Sequence, residues 1–392
     1  MAKRRGNNEG TIVRRKDGRW MASITTGRDP NTGKIKRASF YGKTRKETAD
    51  KLAKALREKQ QDSFVAPHKL TVGAWLDTWL WNYKQSSLRP VTFDSYERLI
   101  RCHLQPAFGH ILLRELRPEF LQRFYNDKRQ QGLSARTVRY CHTLLHGALT
   151  QATKNQLVAR NVATLVEPPR KERKEMQTLN REQVATELLT AIEHDRLGVG
   201  ILLLFWTGLR RGEVLGLRWQ DTDLENAVLH IRQTLGRERI HDAKPGERKT
   251  RLVFQEPKTE QSRRTIPIPR TCLTALHRHK EAQAEEKLML GQAYQDYGLV
   301  FSRPDGRPLD PTEFSRHFGR MLKRAGLPSI RLHDARHTYA TLMLELGEGP
   351  KVVQSMLGHS SVSVTLDIYS HVSLELEQRA ASRLDAALTG GK

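Results

Sequence analysis

Residues 206–219 read WTGLRRGEVLGLRW. A Thr-Gly-Leu turn opens a predicted helix whose Val214, Leu215 and Leu217 can face a core. Arg210 falls in the first turn of that helix, where free backbone N–H groups and the helix dipole already favour an anion. A phosphate held there would gain a bidentate guanidinium. Glu213, one turn on, can hold Arg210 in place. The same residues could equally form a surface ion pair, so the stretch gains meaning only from its companions.

Three such companions follow along the chain: EPKTEQSRRTIPIP (256–269), IRLHDARHTYATLML (330–344) and MLGHSSVSVTLDIYSH (356–371). The first sets Lys258 in an expected hairpin turn between two strands. In the second, His333 and Arg336 are i,i+3 and share one helix face, a proton carrier beside a fixed charge. Ala335, Tyr339, Leu342 and Leu346 are expected on the opposite, buried face, with His337 structural and bonding back to the backbone. The third ends a helix at Leu-Gly-His, presents His359, and reaches Tyr369 ten residues later.

Composition says what such a set would act on. The 392 residues hold 67 Lys+Arg against 43 Asp+Glu, a net charge of +24. A surplus of that size implies a polyanionic partner. Nucleic acid is favoured over a membrane, because no lipidation signal or basic anchor helix appears. The longest apolar run, LGVGILLLFW (197–206), is too short to span a bilayer. Residues 1–65 carry eighteen Lys/Arg against seven acids, close to half the surplus. Three cysteines, Cys102, Cys141 and Cys272, form no CxxC and argue for a reducing, cytoplasmic setting rather than a disulfide framework.

The chain reads as three segments of a multidomain α+β protein. In residues 8–62, alternating polar and apolar positions around the turn signals KDG and DPNTG predict three short antiparallel strands. A helix follows, capped by Thr44 with Glu47 three residues on and facing inward through Ala49, Leu52, Ala53 and Leu56. Arg14, Arg15, Arg19, Trp20 and Tyr41 give this sheet a basic, aromatic-bearing face suited to a DNA groove, with Trp20 expected in the core. Residues 69–165 read as all-helical, with starts marked by Thr71, Thr92, Pro118 and Ser134. Arg89, Arg136 and Arg139 are among the basic residues through which these helices could clamp a duplex. His142 and His146 share a helix face but lack a third ligand, so they read as packing or solvent-facing, not as a metal site. Residues 177–392 mix helices with strands near AVLHIRQTL, RLVFQEPK and RRTIPIP. The tail is expected to form an amphipathic helix through Leu376, Ala380, Leu384 and Leu388.

Arg210 and Glu213 in TGLRRGEVLGL, then Lys258, HDARH, LGH and Tyr369, in that order, resemble the tyrosine recombinase family of the phage and conjugative-transposon integrase type. The resemblance spans the whole chain. It implies an arm-site DNA-binding domain at 8–62, a helical core-binding SAM-like domain at 69–165 and a catalytic domain at 177–392. By that likeness, Arg210 and Arg336 grip the scissile phosphate, His333 is the general base and Lys258 the general acid. His359 bonds the phosphate and Tyr369 is the nucleophile. The implied activity is site-specific DNA cleavage and rejoining through a 3′-phosphotyrosyl link, integrating and excising a mobile element without metal, ATP or any other cofactor. The implied partners are double-stranded attachment sites, further copies of the chain in a tetramer, and an excisionase-type or host DNA-bending helper, with the bacterial nucleoid as the setting. A chromosome-resolving recombinase and a non-enzymatic DNA-binding protein with a relic site are the alternatives. The arm-like first segment speaks against the former and the intact motif set against the latter. No clustered carboxylates of a two-metal nuclease and no GxxxxGK[ST] accompany the motifs.

Overall fold

In the computed structural model the described residues are 10–28, 33–60, 69–172, 177–241, 243–244, 246–257, 262–358, 361 and a few isolated positions beyond. The chain divides into two compact units, Met1–Arg173 and Lys174–Lys392. The molecule is mixed and mainly helical with small antiparallel sheets, the class implied by the sequence.

The first unit opens with β1 (Thr11–Arg14), β2 (Trp20–Arg28) and β3 (Ile35–Gly42), antiparallel in that order. Gly18 makes the first turn possible, at φ +81°, and Asp17 accepts the Arg19 N–H at 3.1 Å. The second turn signal lies mostly outside the described residues. Helix α1 (Arg45–Gln60) starts as expected: Thr44 Oγ accepts from Glu47 N–H at 3.1 Å, while the Glu47 carboxylate takes the Lys43 N–H at 2.9 Å. Ala22, Ile24 and Ala38 pack against Leu52 and Ala55. Ala53 faces solvent instead of the core, because the inward stripe runs 48, 52, 55 at helical spacing. Trp20 is only half-buried, so the expectation that it is core fails: small residues fill this thin sheet–helix interface.

Further along the unit come α2 (Val72–Thr78), α3 (Pro90–Leu99), α4 (Gln105–Phe108), α5 (Pro118–Gln130) and α6 (Ala135–Lys154). Turns of π-helix at Trp79–Lys84 and Ile100–Leu104 extend α2 and join α3 to α4. Thr71 and Ser134 cap α2 and α6 as expected. Thr92 does not start a helix: α3 begins two residues earlier, with Pro90 at its first position, where a missing N–H costs nothing. Trp75, Trp79, Phe108, Phe124, Leu144 and Leu145 are part of one buried core. His142 belongs to this packing, its Nδ1 2.8 Å from Tyr125 Oη.

The second unit is built round α8 (Gly198–Thr207), whose apolar sequence is buried on nearly every face. The short α7 (Leu189–Ile192) precedes it and α9 (Arg211–Gly216) follows. The strands form two separate sheets. One is β4 (Thr222–Asp223), β5 (Val228–His230) and β8 (Thr265–Pro267); the other pairs β6 (Thr234–Arg239) with β7 (Thr250–Gln255). Lys258 itself lies outside the described residues. The strands on either side of it, β7 and β8, belong to different sheets, so its connection is not a hairpin turn. Helices α10 (Arg270–Leu290), α11 (Pro311–Arg324), α12 (Leu332–Glu345) and α13 (Pro350–Leu357) complete the unit. Of the expected tail stripe, Leu376 and Ala380 lie outside the described residues, while Leu384 and Leu388 are helical and exposed.

Candidate active site

Helix α8 ends on Gly208, whose φ of +64° gives the left-handed stop that only glycine adopts at no steric cost. A Cβ there would lie 2.4 Å from Leu357 Cδ2 and 2.6 Å from Tyr339 Cδ1. This turn delivers Arg210 to the N-cap of α9. Arg210 donates Nη1–H to Glu213 Oε1 at 2.7 Å and its backbone N–H to Oε2 at 3.0 Å. The first-turn site expected for an anion is therefore already occupied by Glu213, and attraction for a phosphate rests on side-chain charge.

Glu213 is 1 % exposed. Arg264, just before β8, reaches the same carboxylate, with Nη1 3.3 Å from Oε1 and Nη2 3.0 Å from Oε2. Burial opposes ionisation of Glu213, but Arg264 and then Arg210 outweigh it and hold the carboxyl below its usual range. Arg336, on α12, is also buried, donating to Gly208 O at 2.7 Å. Its burial differs from the open His–Arg face expected of α12: Leu332, Ala335, Arg336, Tyr339 and Ala340 are all buried, and Leu346, expected inside, is exposed. The reason is packing: α12 lies against both α8 and α13, and Arg336 is enclosed between the ends of those two helices while His333 stays exposed. Burial first, then the Arg210 charge, pushes the Arg336 guanidinium down to about 9, which still leaves it charged at neutral pH.

The three guanidiniums meet at the last turn of α13. Arg264 Nε donates to Met356 O at 2.8 Å, Arg336 Nη2 to Leu357 O at 2.6 Å and Arg210 Nη2 to Gly358 O at 3.0 Å. Helix C-termini leave such carbonyls unpaired and carry partial negative charge. Three cations against one carboxylate leave this cluster short of negative charge.

His333 lines a cleft of about 500 Å³ together with Arg210, Arg211, Arg331 and Ser315. Its ring is exposed, yet the surrounding protein, then His337 and Arg336, push it down to about 4. Solvent contact damps that shift; its direction leaves a neutral imidazole at pH 7, able to accept a proton. His337 meets His333 edge-on at 5.0 Å. Its Nδ1 is buried with no hydrogen-bond partner among the described residues, in place of the expected backbone bond. Tyr339 is core, 5 % exposed, and its hydroxyl is pushed up to about 12 by burial.

The structure thus brings together Arg210, Glu213, His333 and Arg336. Lys258, His359 and Tyr369 lie outside the described residues, with Gly358, next to His359, bonded to Arg210. Arg264 was missed. Its only signal in the sequence is the RR step of SRRTIPIP, six residues beyond Lys258. Of the proposed DNA contacts, Arg14, Arg15 and Arg19 are exposed around the β1–β2 turn, Arg15 lying 5.6 Å from the Tyr41 ring centre. Arg89 is exposed at the start of α3 and Arg136 covers Tyr140 at 5.6 Å. Arg139 donates to Pro169 O at 3.0 Å.

Residues 173–375 match the phage integrase family and residues 71–129 match the phage integrase N-terminal SAM-like domain. A tyrosine recombinase XerC-like protein of Caldanaerobacter subterraneus subsp. tengcongensis is 34% identical over 93% of this chain and 95% of its own length. Among solved structures, a fragment of the Tn1549 transposon integrase in complex with transposon right-end DNA aligns with a TM-score of 0.67 at 22% identity, over 81% of this chain and 100% of that one. A lambda integrase tetramer bound to a Holliday junction aligns with a TM-score of 0.55 at 19% identity, over 93% of this chain and 96% of that one. With the arginine–glutamate–histidine cluster built as described, the chain belongs to the phage integrase family of tyrosine recombinases, enzymes of DNA strand exchange.

Proposed function

We propose that this recombinase cuts and rejoins attachment-site DNA with Tyr369 as nucleophile, integrating and excising a mobile element. The observation that carries the reading is the guanidinium cluster: Arg210, Arg264 and Arg336 converge on the end of α13 beside the neutral His333, with Glu213 pairing only the first two, so a phosphodiester supplies the charge the cluster lacks. The Tyr369 phenol oxygen attacks the scissile phosphorus, its proton passing to His333, whose affinity for that proton rises once the anionic phosphate is bound. The bond from phosphorus to the 5′ oxygen breaks, and Lys258 protonates the leaving oxygen. Arg210 and Arg336 stabilise the charge on the non-bridging oxygens and His359 bonds the same phosphate. The phosphotyrosyl ester conserves the bond, so a 5′ hydroxyl of a second duplex reverses the step without ATP.

The working division is an arm-site domain at 8–62, a core-binding domain at 69–165 and a catalytic domain at 177–392. Arg14, Arg15, Arg19, Arg89, Arg136 and Arg139 serve as phosphate or groove contacts. Duplex attachment sites, a tetramer on DNA, a direction-setting helper and residence in the nucleoid complete the reading. The lambda integrase found as a tetramer on a Holliday junction supports the assembly. Among the described residues, no helix is long and apolar enough to cross a membrane.

The test is covalent capture. The protein is incubated in EDTA with nicked duplexes of randomised sequence, and SDS-resistant protein–DNA adducts are recovered and sequenced. Adducts that share a site and vanish in Tyr369→Phe are expected. Cleavage that requires Mg²⁺, or adducts that persist in Tyr369→Phe, would sink the proposal.

A further inference from the structure

Arg264 is a buried cation that the cleavage scheme leaves without a task. Its side chain is 8 % exposed. A charge removed from water to that degree is tolerated only when its donors are met. Here Nε, Nη1 and Nη2 are all engaged: Nε with Met356 O, Nη1 and Nη2 with Glu213, and Nη1 also with Ser262 O at 3.3 Å. With its donors spent on protein, Arg264 is poorly placed to grip substrate. What it touches is informative. Glu213 Oε1 is shared with Arg210, and Met356 O lies two residues before Gly358, where Arg210 makes its other contact. Arg264 therefore closes a ring running from itself through Glu213 and Arg210 to the end of α13.

We propose that Arg264 is a positioning residue for strand cleavage: it orients Glu213, and through it Arg210, against the α13 turn that leads into His359. The inference rests on the recombinase reading above. A guanidinium suits the task where an ammonium does not, because the planar fork spans both carboxylate oxygens while Nε reaches a third acceptor. Without it, Glu213 keeps only Arg210 as a partner and draws that side chain more tightly, away from a phosphate. Met356 O loses its donor, and the register of the final α13 turn loosens where His359 begins.

The duplex recovered by covalent capture serves as the probe. Adduct formation by the full chain is timed in single turnover, duplex affinity is read by fluorescence anisotropy, and the melting transition is recorded. Arg264→Gln and Arg264→Ala are expected to slow cleavage by about 10- to 100-fold, the loss seen when the partners that orient metal ligands are removed, with duplex affinity unchanged. Arg264→Lys recovers part of the rate, and methylguanidinium added to Arg264→Ala recovers more. Wild-type rates in the Ala and Gln variants overturn the proposal. So does a loss of rate that follows loss of affinity and melting temperature and is not relieved by methylguanidinium, which marks a merely structural residue. If Arg264→Ala does not fold, Arg264→Lys decides: slowed cleavage at wild-type affinity supports positioning, and a wild-type rate overturns it. A wild-type chain that forms no adduct overturns the recombinase reading, a distinct failure.

Discussion

His333 shows what the surrounding protein does to a single residue. Its imidazole is pushed from 6.5 to about 4 by the surrounding protein, His337 and Arg336. The unfolded chain therefore binds more protons than the folded one between those values. Stability is fully present above pH 6.5 and is lost as pH falls toward 4. The melting temperature is expected to drop between pH 7.5 and pH 5, and His333→Asn should lessen that drop; an equal drop in the variant would show that His333 is not its source. The dependence is reduced and not abolished because burial also lowers His337. That His333 and Arg336 belong to one site was legible from their i,i+3 spacing. Their protonation behaviour was not, since it depends on what packs above them. Arg264 is illegible in the sequence for a related reason: one arginine among 67 basic residues has no local mark of burial.

At the scale of elements, turn and cap chemistry was the most readable layer. KDG gave a hairpin with Gly18 in the left-handed region, and Thr44, Thr71 and Ser134 each cap a helix. The turn at Gly208 matters most, since it ends α8, aims Arg210 and offers its carbonyl to Arg336. Gly208→Ala is expected to cost about 1–2 kcal/mol in left-handed backbone strain, with more from the clash against Leu357 and Tyr339. Urea unfolding checks this; a loss under about 0.5 kcal/mol, the range of an inconsequential surface change, would mean that the turn relaxes freely. What failed at this scale was pairing. The strands flanking Lys258 look like a hairpin in sequence, yet each pairs elsewhere, because alternation marks a strand but does not name its partner.

For the whole molecule, the charge surplus sets the expected DNA affinity. Each phosphate contact removed should lessen the slope of log affinity against log salt by about 0.9. Replacing Arg14, Arg15 and Arg19 together by alanine should therefore flatten the slope by up to about 3 on duplex DNA; an unchanged slope would remove that hairpin from the interface. The sequence by itself determined the charge, the order of the catalytic candidates and the local starts and stops that frame them, because these depend on neighbours within a few residues. Only the tertiary structure decided that Arg336 is buried, that Arg264 completes the cluster and that the carbonyls of α13 hold all three guanidiniums. Arg264 and Glu213 are 51 positions apart and Arg210 and Gly358 148, so no local pattern encodes their meeting. It follows from how α12 packs against α8 and against α13, which is settled by the burial of two apolar clusters, one joining α12 to α8 and one joining it to α13.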